Sequence, residues 1–78
     1  MEEFEKGDLV EVKKNTSLSP ILRFFYNKRG LLVRIVAESY KNNKLYSRQW
    51  EILFSNGKRF CFKEYELLLI AKAKENEV

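Results

Sequence analysis

The segment Trp50–Phe62, WEILFSNGKRFCF, constrains the fold more than any other stretch of the chain. It reads as two half-buried strands joined at Ser55-Asn56-Gly57. Asn-Gly between apolar runs ordinarily signals a two-residue type I′ loop. In that register Phe54 faces Arg59, Ile52 faces Cys61 and Glu51 faces Phe62, which mixes charged and aromatic residues on each face. A three-residue loop instead pairs Phe54 with Lys58, Ile52 with Phe60 and Trp50 with Phe62. One face is then Trp50, Ile52, Phe54, Phe60 and Phe62, and the other carries Glu51, Leu53, Arg59 and Cys61. A one-residue slip inverts every side chain, so burial decides the register. Each buried aromatic contributes roughly 1.5–3 kcal/mol, more than any difference between turn types. The expected turn is a type I turn followed by Gly57 in the left-handed region, a G1 bulge.

Around this hairpin the pattern is that of a small all-β domain. Gly7-Asp8 opens a strand over Leu9–Lys14, with Val10 and Val12 on one face and Glu11 and Lys13 on the other. Ser19-Pro20 has the character of a helix start, serine as cap and proline at the first helical position. About two turns would follow through Ile21, Leu22, Phe24, Phe25 and Tyr26, pinned by burial of Ile21 or Leu22 with Phe25; an irregular, partly extended excursion is the alternative. After Gly30 a second strand covers Leu31–Glu38, with Leu31, Val33, Ile35 and Ala37 expected in the core. Its other face, Leu32, Arg34, Val36 and Glu38, is mixed, so the excursion would cover Leu32 and Val36. Lys41-Asn42-Asn43-Lys44 is a polar turn, and a third strand runs Tyr46–Phe54. The fourth strand covers Lys58–Lys63, Lys63–Glu66 fits one tight helical turn, and Leu67–Ala73 forms a fifth strand that closes against the first. The expected organisation is a flexible acidic arm over residues 1–6, which Phe4 would anchor, one domain over 7–73 and a flexible tail over 74–78.

That order, at GDLVEV, GLLVRIV and WEILFSNGK followed by EYELLLI, resembles small SH3-like barrel proteins of tailed phages and of bacteria, which share their shape with KOW and Tudor-type barrels. The resemblance spans residues 7–73. It implies a five-stranded SH3-like small barrel with a short helical turn in the first long loop, and a non-catalytic accessory or structural role. It supplies no functional residues by motif.

Composition limits the chemistry. The chain has 78 residues, one Cys and no His. A domain this small buries only about 60% of its unfolded surface, but six Phe, four Tyr and one Trp can fill a core without staples. A single Cys precludes an internal disulfide, and without histidine Cys61 reads as a small apolar residue turned away from the aromatic face, not a nucleophile. Between residues 6 and 74 the acids are spread singly, the nearest pair being Glu64 and Glu66, and only three glycines are present in the chain. No catalytic site, cofactor or metal is therefore expected. No apolar run approaches the ~20 residues of a membrane span, and the acidic start MEEFEKGD does not read as a signal peptide. The expected compartment is a reducing cytoplasm, the host's if the chain is phage-encoded.

Charge gives the functional expectation. Five of the 11 acids lie near the ends, leaving six against all 15 Lys and Arg, a net +9 over residues 6–74. Across residues 23–48, Arg23, Lys28, Arg29, Arg34, Lys41, Lys44 and Arg48 face only Glu38. A basic surface favours anionic partners, although solvated lysines that merely keep the domain soluble give the same count. The expected binding surface comprises Arg23, Phe24, Tyr26, Lys28 and Arg29 in the first loop, extended by Tyr40, Lys41, Lys44 and Tyr46 on the neighbouring hairpin. Its partner would be another protein, with an acidic surface favoured. The groove would be lined by Phe24, Tyr26, Tyr40, Tyr46 and Tyr65, tyrosine combining area with a polar tip. A basic loop disfavours proline-rich ligands. The alternative is a small RNA- or DNA-binding module, since aromatics interleaved with cations bind single strands; against both, Phe24 or Phe25 is core and the cations only solvate the loop. Leu53 and Leu68, expected exposed, permit self-association.

Overall fold

The computed structural model describes residues 4–14, 20 and 22–73. Five antiparallel strands form one sheet: β1 (Leu9–Val12), β2 (Arg29–Lys41), β3 (Lys44–Phe54), β4 (Arg59–Lys63) and β5 (Leu67–Ala71). Their spatial order is β4-β3-β2-β1-β5. A 310 turn, Leu22–Phe25, lies between β1 and β2, and a second, Glu64–Glu66, between β4 and β5. No described helix is long and apolar enough to cross a membrane. β1 and β5 pair, as expected from the apolar run Leu67–Ile70. The sheet is not hydrogen-bonded into a closed barrel: β4 and β5 are its two edges.

The β3–β4 hairpin has the register that burial favours. Trp50 faces Phe62, Ile52 faces Phe60 and Leu53 faces Arg59. The Phe54 amide donates to the Lys58 carbonyl at 2.9 Å, the Gly57 amide donates to the Phe54 carbonyl at 2.9 Å, and Gly57 has φ +83°. This is the bulged three-residue loop, with glycine where a left-handed conformation is needed. Trp50, only 3% exposed, forms the core with Val10, Val12, Phe25, Leu32, Ile52, Phe54, Phe62 and Leu67, and Phe60 packs against it. Phe4 also packs against it.

The 310 turn Leu22–Phe25 packs against the core side of the sheet. The expected two-turn helix is instead one 310 turn, and Ser19 and Ile21 lie outside the described residues. Phe25 drops from this turn onto Phe54 and Phe60, with ring centroids 4.6 Å away in each case, and lies 6.0 Å from Phe62. Tilted and edge-to-face rings at such distances add to the area term. Asn27, at φ +66°, then reverses the chain into β2; asparagine tolerates this conformation because its short polar side chain hydrogen-bonds locally.

One expectation is corrected in β2. Leu31 is 46% exposed and Leu32 2%, the reverse of the face read from alternation. Leu32 lies opposite Ile52, whose side chain points inward, and Leu31 lies opposite Leu53 on the outer face. The pairing then slips between Leu32 and Arg34 and again between Ile35 and Ala37, each slip adding one residue to β2. Such bulges bend a strand and re-aim its side chains, so strict alternation does not hold along Leu31–Ala37. Val33 and Val36 are both half-buried. The outward row Leu53–Leu31–Leu9 crosses three strands. Leu53 is half-buried, Leu68 is exposed, and Cys61 is half-buried opposite Glu51.

Candidate functional site

Two basic-aromatic groups expected to make one surface stand at opposite ends of the sheet. β3 is eleven residues long, and at about 3.3 Å per residue that is a separation on the order of 33 Å along the strand. Tyr40, Lys41, Lys44 and Tyr46 surround the β2–β3 turn at one end. Phe24 and Lys28 lie beside Ser55 and Asn56 of the β3–β4 turn at the other. No single groove is therefore lined by Phe24, Tyr40 and Tyr46.

At the β2–β3 end, Asn42 (φ +55°) and Asn43 (φ +64°) form a tight turn with both central residues left-handed, the type I′ geometry that suits the twist of paired strands. Tyr40 and Tyr46 are both exposed. The Lys41 ammonium sits 5.7 Å from the Tyr46 ring centroid, and the Tyr40 hydroxyl donates to Glu38 Oε1 at 3.0 Å. That hydrogen bond, with the Glu38 charge, raises the Tyr40 phenol above its ordinary 10.0. Glu38 also accepts from Arg48 Nε at 3.2 Å, so Glu38 is engaged by both Tyr40 and Arg48. Lys44 is exposed at the turn.

The β3–β4 end is the more site-like. Phe24 is 74% exposed while its neighbour Phe25 is 6% exposed, and the two rings meet edge-to-face at 5.9 Å. Adjacent residues of a 310 turn point apart, so burying Phe25 in the core forces Phe24 outward. Open depressions flank Phe24. One, of about 440 Å³, is lined by Pro20, Phe24, Phe25, Asn56, Lys58 and Phe60. The other, of about 290 Å³, is lined by Phe24, Phe25, Lys28, Arg29, Phe54, Ser55 and Asn56. Among the described residues neither wall contains an acid. Arg29 pairs with Glu11 at 2.9 Å. Arg23 is exposed on the same turn, whereas Tyr26 is half-buried and packs against the core. Tyr65 is exposed on the second 310 turn, with the Lys63 ammonium 5.8 Å from its ring centroid.

Lys58, Asn56 and Phe60 belong to this end although charge runs and aromatic clusters in the first loop did not point to them. Their signal lay in the hairpin register, which sets Lys58 opposite Phe54 and on the same face as Phe60. The Asn56 side-chain oxygen accepts from the Lys58 amide at 3.0 Å, fixing the turn beneath the depression.

No family model, curated protein or solved structure matches the chain.

Proposed function

We propose that the chain is a non-catalytic interaction module of SH3-like shape, whose β3–β4 end binds an acidic segment of another protein. The strand order β4-β3-β2-β1-β5, with a 310 turn before the last strand, supports the shape. The observation that carries the binding reading is Phe24, a ring turned to solvent between two depressions whose charged residues, among those described, are cations: Lys58 on one side, Lys28 and Arg29 on the other. An exposed aromatic supplies contact area, and surrounding cations select negative charge. The depressions suit short apolar side chains presented to either side of the Phe24 ridge. A single-stranded nucleic acid is the second reading, favoured by the same exposed ring beside Lys28, since bases stack on such platforms.

Fluorescence anisotropy separates the two. The probes are a labelled twelve-residue peptide alternating Glu with Leu and labelled single-stranded RNA and DNA, each at low and moderate salt. The acidic peptide is expected to bind, and Phe24→Ser to weaken it by about tenfold. Tighter oligonucleotide binding that falls steeply with salt would replace the protein reading with the nucleic-acid one. No oligonucleotide binding at about 10 µM protein ends the nucleic-acid reading. An acidic peptide that fails to bind, or that binds Phe24→Ser equally well, overturns the proposal.

A further inference from the structure

β4 is an edge strand with one side unused. Among the described residues it pairs with β3 alone. The Phe54 amide donates to the Lys58 carbonyl, and in an antiparallel ladder hydrogen-bonded and non-hydrogen-bonded pairs alternate. Phe60 and Phe62 therefore turn their main-chain groups to β3, whereas Arg59, Cys61 and Lys63 turn theirs to the open edge. The Lys63 amide is taken by Glu66 Oε1 at 2.8 Å. The main-chain groups of Arg59 and Cys61 remain directed outward, a short template for another strand.

The surroundings select what kind of strand. On the inner side the edge borders the depression of about 440 Å³, through Lys58 and Phe60 of the hairpin and Phe24 of the first loop. On the outer side it carries Arg59 and Lys63, and no acid lies on β4. The opposite edge, β5, has the sequence LLLIA, with no charge of its own. An added strand presents alternate residues to opposite faces. Apolar side chains opposite Phe60 would enter the depression, and acidic ones between them would face Arg59 and Lys63.

We propose that the open edge of β4 takes an extended acidic peptide as a sixth strand, main-chain hydrogen bonds to Arg59 and Cys61 supplying affinity and the Phe24–Phe60 depression supplying selectivity. This rests on the acidic-partner reading above and adds the mode of binding, β-augmentation. The ligand class is a segment alternating acidic and apolar residues.

The test is amide hydrogen exchange on the ¹⁵N-labelled full chain with and without the Glu–Leu twelve-mer. Strand addition slows exchange at Arg59 and Cys61 by about tenfold or more, while Phe60 and Phe62, already paired to β3, change little. The same peptide N-methylated at alternate residues is expected to bind at least about tenfold more weakly. Cys61→Pro removes one outward donor and spares the β3 ladder, because proline is tolerated where the amide faces away from the sheet; it is expected to weaken binding similarly. The methylated peptide leaves the protein untouched, so the test stands even if that variant fails to fold. Shifts at Phe24 and Lys58 without protection at Arg59 and Cys61 overturn strand addition and leave the acidic-partner reading intact. Protection at Leu69 of β5, whose main-chain groups face the open edge because Glu11 and Leu68 form the hydrogen-bonded pair with β1, overturns it as well. So does protection at Arg59 and Cys61 that exists without peptide and disappears on dilution, which assigns the edge to a second copy of the chain. No response anywhere in the chain overturns both readings.

Discussion

Gly30 shows how one residue sets the distance between two strands. It is the second residue of β2, opposite Phe54, and its φ is not left-handed, so backbone freedom is not the reason for glycine there. A Cβ at this position would stand 2.6 Å from Ile52 Cγ2 and 2.7 Å from the Leu53 carbonyl oxygen. Ile52 is fully buried and the carbonyl belongs to the ladder, so neither can yield without opening the sheet. Gly30→Ala is expected to cost about 1–3 kcal/mol as an overpacked core position. Gly57 has the opposite character: its surroundings are open, but φ is +83°. Gly57→Ala is expected to cost about 1–2 kcal/mol through conformation alone. Urea unfolding of the two variants checks this, and a Gly30→Ala protein as stable as the parent would refute the close-approach account. Sequence reading recognised Gly57 because turn chemistry is local. It took Gly30 only as the end of the excursion, because the atoms that demand glycine lie more than twenty residues further along the chain. Phe24 and Phe25 differ in the same way. Sequence reading expected Phe25 to pin the turn and Phe24 to face the surface, with either one as core as the competing reading, and the 310 geometry buries Phe25 and exposes Phe24.

At the scale of elements, the hairpin was legible because its register is decided by five large side chains on one face. β2 was not, because two bulges interrupt the alternation on which the reading relies, and a bulge is a property of the pair of strands. The second 310 turn falls between these cases. Its position was expected from Lys63–Glu66, but its tie to the core was not. The Trp50 indole Nε1 donates to Glu64 Oε2 at 2.6 Å, and Arg48 Nη1 lies 3.9 Å from the same oxygen. The indole of a residue only 3% exposed needs an acceptor. The turn delivers one from the segment that leads into β5, so the acids Glu64 and Glu66 both have structural partners: Glu64 holds Trp50 and Glu66 holds the Lys63 amide. Glu64→Ala leaves the Trp50 N–H without its acceptor and is expected to cost about 1–3 kcal/mol, whereas Glu64→Gln keeps an oxygen in place and costs less. Thermal unfolding followed by the fluorescence of the sole Trp distinguishes them. Equal stability of the Ala and Gln variants would mean that the hydrogen bond contributes nothing.

At the scale of the whole molecule, the two ends of the described chain meet at one carboxylate. Asp8 is fully buried beside the start of β1. It accepts from the Glu5 amide at 2.8 Å, the Ala73 amide at 2.7 Å and the Lys72 ammonium at 2.9 Å. Residues 5 and 73 are thereby held to the same side chain, and β5 is anchored beyond its last pairing with β1. Nothing in the local sequence marks this: Gly7-Asp8 reads as an ordinary strand opening, and Lys72 as one more surface cation of a basic domain. Burial by itself raises the Asp8 carboxyl, but the hydrogen bonds from Ala73, Lys72 and Glu5 outweigh it, and the carboxyl is held below its ordinary 3.8. The same contact, led by the hydrogen bond to Asp8, raises Lys72 above its ordinary 10.5. A carboxyl lowered on folding binds its proton more readily in the unfolded chain, so acid favours unfolding. The Asp8 contribution is complete above the ordinary carboxylate range, from about pH 5 upward, and is lost as pH falls through the folded value. On the Lys72 side the sign reverses, and the contribution disappears as pH rises through the raised ammonium value. Asp8→Asn keeps one acceptor oxygen but sets an amide against the Lys72 ammonium, and is expected to lower stability at pH 7 by about 2 kcal/mol. The deficit should shrink on going from pH 7 to pH 3, because the parent sheds the Asp8 contribution there and the variant has none to shed. Urea midpoints of both proteins across that range measure it. A deficit that stays constant down to pH 3 would show that Asp8 acts through shape alone, and that the charge joining residues 5 and 73 is incidental to the fold.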